Sequence, residues 1–174
     1  MNEAVADAPP IAPSWANPST ARLIALLLPA ALLAGAFGSQ YIGGLTPCEM
    51  CWWQRYPHLA ALVPAALAFT APAASPRAQM LTLLAALAIA VSGAIGVYHA
   101  GVELKIFQGF TTCTSTIHGS TTEEMLKAIA EAPLVRCDQV QWSFLGISMA
   151  GWNAIISLGG AAIILFLQLK GRKA

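Results

Sequence analysis

The chain has 174 residues, of which 57% are hydrophobic and only 10% are charged. This balance excludes an ordinary water-soluble domain and indicates an integral membrane protein. The formal net charge is +1 and the sequence contains no basic stripe, so we expect no nucleic-acid partner.

Four apolar segments have the roughly 20-residue length that a helix needs to cross the hydrocarbon core of a membrane. They lie at 21–41, 51–70, 80–99 and 144–169. Residues 1–20 carry four prolines and no Lys or Arg, and we predict a disordered cytoplasmic tail there, with a short basic tail at 170–174. The predicted fold is all-α: a four-helix transmembrane bundle in one domain, residues 21–169.

Four spans place both termini on one side of the membrane and the loops at about 42–50 and 100–143 on the other. Basic residues flank the side with the termini, without acidic residues close by: Arg22, Arg77, Lys170, Arg172 and Lys173. The positive-inside rule therefore predicts cytoplasmic termini. All four cysteines then share the outer face of the membrane, in the loops or at the start of the second helix, where disulfides can persist.

The second outer loop contains the stretch STTEEMLKAIAEA, in which Thr121 and Glu124 have the spacing of a capping box. Met125, Ile129 and Ala132 would share one side of a helix. The pattern predicts a short amphipathic helix lying on membrane lipid. An exposed loop helix without lipid contact fits the same pattern equally well.

Two of the cysteines are close together in the stretch LTPCEMCWWQRYPH. Thr46 as N-cap, Pro47 at the first helical position and Glu49 three residues after the cap predict a helix that begins just before Cys48. Cys48 and Cys51 would then occupy the first turn. Free backbone N–H groups and the helix dipole stabilise a thiolate there and lower its pKa.

Arg55 follows on the same helix face, within about 60° of both cysteines. A cation near hydrocarbon can snorkel to the interface, which is one explanation of Arg55. Another is that a fixed cation beside thiols stabilises negative charge that develops on an electron acceptor such as a quinone. The neighbouring cysteines favour the second explanation.

Three uses of the cysteines are compatible with the sequence. Zinc is disfavoured because Cys113 and Cys137 do not form a second CxxC and no histidine stands at ligand spacing beside them. A CxxC pair such as Cys48 and Cys51 is more often redox-active than a structural disulfide. Taken alone, Cys113 and Cys137 also fit a structural disulfide of the long loop.

The motifs PCEMCWWQR, YHAGVE and RCDQVQWSFLGISMAGWN resemble the bacterial disulfide bond formation protein B family over residues 21–169. The resemblance implies that Cys48 and Cys51 reduce a quinone. It also implies that Cys113 and Cys137 exchange with a soluble partner, with Cys113 forming the mixed disulfide. Arg55 and His99 match positions near the quinone.

The resemblance further implies the function, an inner-membrane thiol oxidase that reoxidises a periplasmic DsbA-like, thioredoxin-fold protein. Its cofactor would be a quinone, ubiquinone or menaquinone, drawn from the membrane pool, and no metal is expected. Two alternatives stay open: a specialised paralogue with a dedicated partner, and a non-catalytic membrane scaffold held by two structural disulfides.

Overall fold

The computed structural model describes residues 17–109, 121–131 and 135–171, and this part of the chain is mostly helical. The helices are α1 (Pro18–Tyr41), α2 (Glu49–Leu67), α3 (Pro76–Glu103), α4 (Thr122–Glu131) and α5 (Met149–Gly171). A 3₁₀ turn, Ala68–Thr70, follows α2, and the short strands β1 (Ser143–Phe144) and β2 (Ile147–Ser148) precede α5.

Three helices of the described chain, α1, α3 and α5, are long and apolar enough to cross a membrane. The chain is therefore a multi-pass membrane protein by helix length and composition. The predicted span at 51–70 corresponds to α2, whose buried side chains include Gln54, Arg55 and His58. Because these polar groups lower its hydropathy, α2 is not among the three, and the four-span count stays a prediction.

Two helix boundaries differ from the predicted ones, because the backbone there forms a hairpin turn or a helix cap instead. The last span was predicted from residue 144, which is wrong, because β1 and β2 pair in an antiparallel hairpin and α5 begins only at Met149. Leu145 and Gly146 form the turn with φ of 52° and 77°, a left-handed conformation that helices do not contain. At the other end, α1 begins at Pro18, capped by the Asn17 side chain.

The long helices pack closely, with α3 between α2 and α5, and α1 against α2 and α5. Small residues permit this approach. A Cβ atom at Gly96 of α3 would lie 3.0 Å from the main-chain O of Ala150 and 3.0 Å from the main-chain N of Ala154 in α5. One apolar cluster, rich in alanine, fills the interior away from the cysteines.

The helix α4 occupies the stretch for which the sequence predicts a loop helix, and the Thr121 Oγ1 accepts a hydrogen bond from Glu124 N at 3.2 Å. Whether α4 lies on lipid stays a prediction. Cys113 falls outside the described residues.

Candidate functional site

The cysteine end of α2 begins with a sulfur cap. Cys48 has an extended backbone and is the N-cap, and its Sγ accepts a hydrogen bond from Cys51 N at 3.3 Å. The helix begins at Glu49, so the predicted cap on Thr46 is wrong. The Cys48 side chain already fills the capping role that Thr46 was expected to take.

Three thiols meet at this end of the bundle. Cys48 and Cys51 are free thiols with their Sγ atoms 2.9 Å apart. Cys137 is buried in the same small cluster as Cys48, although a long stretch of sequence separates them. The pKa of the Cys48 thiol is raised, chiefly by its hydrogen bond with the Cys137 thiol, then by that with Cys51 and by burial.

The segment that carries Cys137 is tied to the end of α3 by charge. Asp138 accepts hydrogen bonds from the Arg136 guanidinium at 2.8 and 2.9 Å and from Lys105 Nζ at 2.6 Å. These bonds from Arg136 and then Lys105 hold the pKa of the Asp138 carboxyl well below its usual range. The pairs are exposed, so they position this segment more than they stabilise the fold.

Arg55 is only 6% exposed and is held against α1. Its Nη2 donates to Ala36 O at 3.0 Å and its Nη1 donates to Gln40 Oε1. The guanidinium lies 4.9 Å from the ring centres of both Phe37 and Trp52. It therefore does not snorkel freely, and the two hydrogen bonds use only two of its five N–H donors.

His99 of α3 lies beside the cysteine pair. Its Nε2 is 3.6 Å from Cys48 Sγ and 4.0 Å from Glu103 Oε1, and its Nδ1 is 2.7 Å from Gln54 Nε2. The sequence motif placed His99 near this site by resemblance, but the contacts with Gln54 and Glu103 were not anticipated.

A buried polar network extends from His99 into the bundle, and sequence reasoning missed it. Gln54 Oε1 accepts from Asn153 Nδ2 at 2.8 Å, and Asn153 Oδ1 is 3.0 Å from both Ser157 Oγ and His58 Nε2. A signal was present, since Gln54 with His58 and Asn153 with Ser157 stand four residues apart within apolar helices. Polar groups at such depth are usually functional.

A cavity of about 660 Å³ joins these groups, a size common for small-molecule sites. Polar side chains at its wall include Cys48, Cys51, Gln54, Arg55, His58, His99, Glu103, Arg136 and Asn153, while α1 contributes mostly apolar residues such as Leu32 and Ala36. The wall thus combines an apolar side from α1 with polar groups, among them the N–H donors of Arg55.

The same corner holds a set of possible metal ligands. One ligand atom each from Cys48, Cys51 and His99 lies within 4.8 Å of the other two. The sequence argument against zinc looked for a histidine near the loop cysteines and overlooked His99, which α3 brings to the first pair.

The chain was compared with families and individual proteins of known description. The family model described as disulfide bond formation protein DsbB matches residues 18–167. A disulfide bond formation protein B of Methylococcus capsulatus is 34% identical over 160 residues, covering 84% of this chain and 91% of the relative. A disulfide bond formation protein B of Marinobacter nauticus is 30% identical over 155 residues, covering 84% of this chain and 89% of the relative. No solved structure matches.

Proposed function

The chain belongs to the disulfide bond formation protein DsbB family, and from that premise we propose that it is a thiol oxidase of the bacterial inner membrane. It reoxidises a periplasmic DsbA-like protein of thioredoxin fold and passes two electrons to ubiquinone or menaquinone. The proposed topology has four spans within residues 21–169, cytoplasmic termini and periplasmic cysteine loops.

One observation carries the proposal: Cys48 and Cys51 line the same cavity as Arg55, and their Sγ atoms are 2.9 Å apart. A dithiol that becomes a disulfide releases two electrons and two protons. A quinone, when bound, accepts both. In this cavity, Arg55 offers N–H donors and positive charge to an oxygen on which negative charge develops.

The third thiol supports transfer between the two cysteine pairs. Cys137 lies against Cys48, so a Cys137 thiolate, released when the partner protein reduces the loop pair, is within reach of the Cys48 sulfur of a Cys48–Cys51 disulfide. Such exchange breaks one S–S bond as it forms another, and the electrons move from the loop pair to the buried pair. The proposed mixed disulfide with the partner is at Cys113, by family resemblance.

The test measures quinone absorbance with purified protein, a soluble quinone analogue and a reduced DsbA-like protein. We expect catalytic bleaching by the wild type and none by Cys51→Ser. Cys113→Ser should stop bleaching driven by the partner protein but retain bleaching driven by a small dithiol that reaches Cys48 and Cys51 directly.

Wild-type protein with all its thiols alkylated is the control for uncatalysed reaction. The proposal is wrong if the wild type bleaches the quinone no faster than this control. Equal loss of both reactions in Cys113→Ser would reject the division of roles between the two pairs, whereas the wild-type rate alone decides whether the protein reduces quinone.

A further inference from the structure

We infer that Gln54 is a positioning residue that keeps the proton of His99 on Nε2, so that His99 donates a hydrogen bond to the Cys48 sulfur and does not remove its proton. The functional meaning of this inference rests on the proposed thiol chemistry. The geometry itself rests on a chain of amide hydrogen bonds whose two ends are backbone carbonyls.

The first end is in α2. The Gln54 side chain places its Nε2 3.1 Å from Met50 O. A backbone carbonyl only accepts, so the atom facing it must be the amide nitrogen. With the side chain turned over, two acceptor oxygens would face each other. The orientation of Gln54 follows from this contact.

The second end is between α3 and α5. Asn153 Nδ2 lies 3.2 Å from Ser92 O, again a carbonyl that only accepts. The other N–H of Asn153 then points to Gln54 Oε1 at 2.8 Å. Two amides are therefore oriented consistently from both ends, and turning either one alone would create a donor–donor or acceptor–acceptor contact.

The remaining N–H of Gln54 points to His99 Nδ1, 2.7 Å away. That ring nitrogen must accept, and a neutral imidazole then carries its single proton on Nε2. Nε2 lies 3.6 Å from Cys48 Sγ, within hydrogen-bond range for sulfur. The N–H on Nε2 can then donate to the Cys48 sulfur, in competition with the backbone carbonyl of Cys137, and a thiolate is a stronger acceptor for it than a thiol.

This tautomer opposes two other roles for His99. To take the proton of Cys48, Nε2 would have to be unprotonated. The proton of the neutral ring would then lie on Nδ1, opposite an N–H of Gln54. To bind a metal through Nε2 beside Cys48 and Cys51, it would again need the proton on Nδ1, where metal-bound histidines donate to an acceptor. Gln54 presents a donor there, so the cluster of possible metal ligands is better suited to thiol chemistry.

The direct test is the ring ¹⁵N spectrum of the full-length, histidine-labelled protein, with the His99 signals assigned by their loss in His99→Gln. We expect a proton on Nε2 and none on Nδ1. Gln54→Met should give averaged signals of two tautomers. Gln168→Met, at a buried α5 position away from the cavity, is the matched control and should leave them unchanged. A wild-type proton on Nδ1, or an unchanged spectrum in Gln54→Met, overturns the inference.

A second measurement asks whether His99 is a donor or a base. It uses the chain in which Cys48 is the one cysteine left, and follows its alkylation at neutral pH. His99→Leu should slow alkylation about tenfold, since a thiolate loses one charge-assisted hydrogen bond. His99→Gln retains an N–H near the Nε2 position and should stay within about threefold of the parent.

If His99→Gln slows alkylation as much as His99→Leu, His99 acts as a base and the inference is wrong. Neither measurement contains quinone or the partner protein. A failure here is therefore separable from a failure of the proposed oxidase function, which the quinone assay measures on its own.

Discussion

Replacing Arg55 separates its observed contact with α1 from its proposed hydrogen bond to a quinone. Arg55→Met keeps a long side chain beside Phe37 and Trp52 but removes the charge. It also removes the hydrogen bonds to Ala36 O and Gln40 Oε1 that join α2 to α1. We therefore expect both lower stability and poorer use of quinone.

The loss of stability follows from these contacts. Each charged hydrogen bond of Arg55 contributes roughly 1.5–3 kcal/mol, and each of its two ring contacts contributes roughly 0.5–1 kcal/mol. Removing a charge from membrane depth returns roughly 2.5–3.5 kcal/mol. The net destabilisation of Arg55→Met is then about 0.5–5.5 kcal/mol, visible as a lower Tm.

The loss of activity has a separate origin. Loss of the one charge-assisted hydrogen bond that we propose from Arg55 to a quinone oxygen should lower kcat/KM for quinone about 10- to 100-fold in Arg55→Met. Arg55→Lys should recover only part of this, since an ammonium lacks the planar fork of a guanidinium. Exchange with the soluble partner should stay nearly unchanged, because that chemistry is assigned to Cys113 and Cys137.

The assay is quinone reduction against quinone concentration, at a temperature where every variant is folded. Gln40→Ala is the matched control: it removes one α1 contact of Arg55 but leaves the charge in place. We expect a small fall in its Tm and a kcat/KM within about threefold of wild type. If Gln40→Ala reproduces the whole defect of Arg55→Met, or if Arg55→Met has normal quinone kinetics, Arg55 only joins two helices and the reasoning is refuted.

Two further predictions concern the frame of the site. Gly96→Ala should destabilise the protein by roughly 1–3 kcal/mol, because its Cβ would meet α5 backbone at 3.0 Å. Gly35→Ala should not, because among the described residues no atom beyond its own helix backbone lies within 4 Å of its Cβ. Equal Tm values for the two variants would contradict this. Asp138→Asn should raise amide exchange of residues 135–142 about two- to fivefold at neutral pH. Because the pKa of Asp138 is lowered in the folded protein, the tether is complete above the usual carboxyl range and is lost only as pH falls through the folded pKa. Exchange corrected for intrinsic rates should therefore converge for wild type and variant only in strong acid, and convergence near neutral pH would contradict the role of the ion pairs.

Much of the molecule follows from the sequence alone. Apolar runs are sufficient to identify a membrane protein, because the thickness of the hydrocarbon core sets the length of a span. The placement of Cys51 and Arg55 on one side of α2 is likewise a local property, since 100° per residue relates positions on the same helix. Motifs around these residues were sufficient to indicate the family.

The sequence predicted the exact ends of the helices less well than their existence. The sequence offered Thr46 as a cap for α2, but the sulfur of Cys48 takes that position. It also extended the last helix to residue 144, where a hairpin turns at Leu145 and Gly146. In both places several short-range solutions have similar energy, and contacts with the rest of the bundle select one.

Contacts between helices required the tertiary structure. Periodicity says which residues share a face of one helix, but not how far that helix is rotated or shifted against its neighbour. That choice depends on close packing at positions such as Gly96 and on buried hydrogen bonds such as that from Asn153 to Gln54. The tautomer of His99 and its approach to Cys48 are consequences of that packing. No motif in the sequence therefore predicts them.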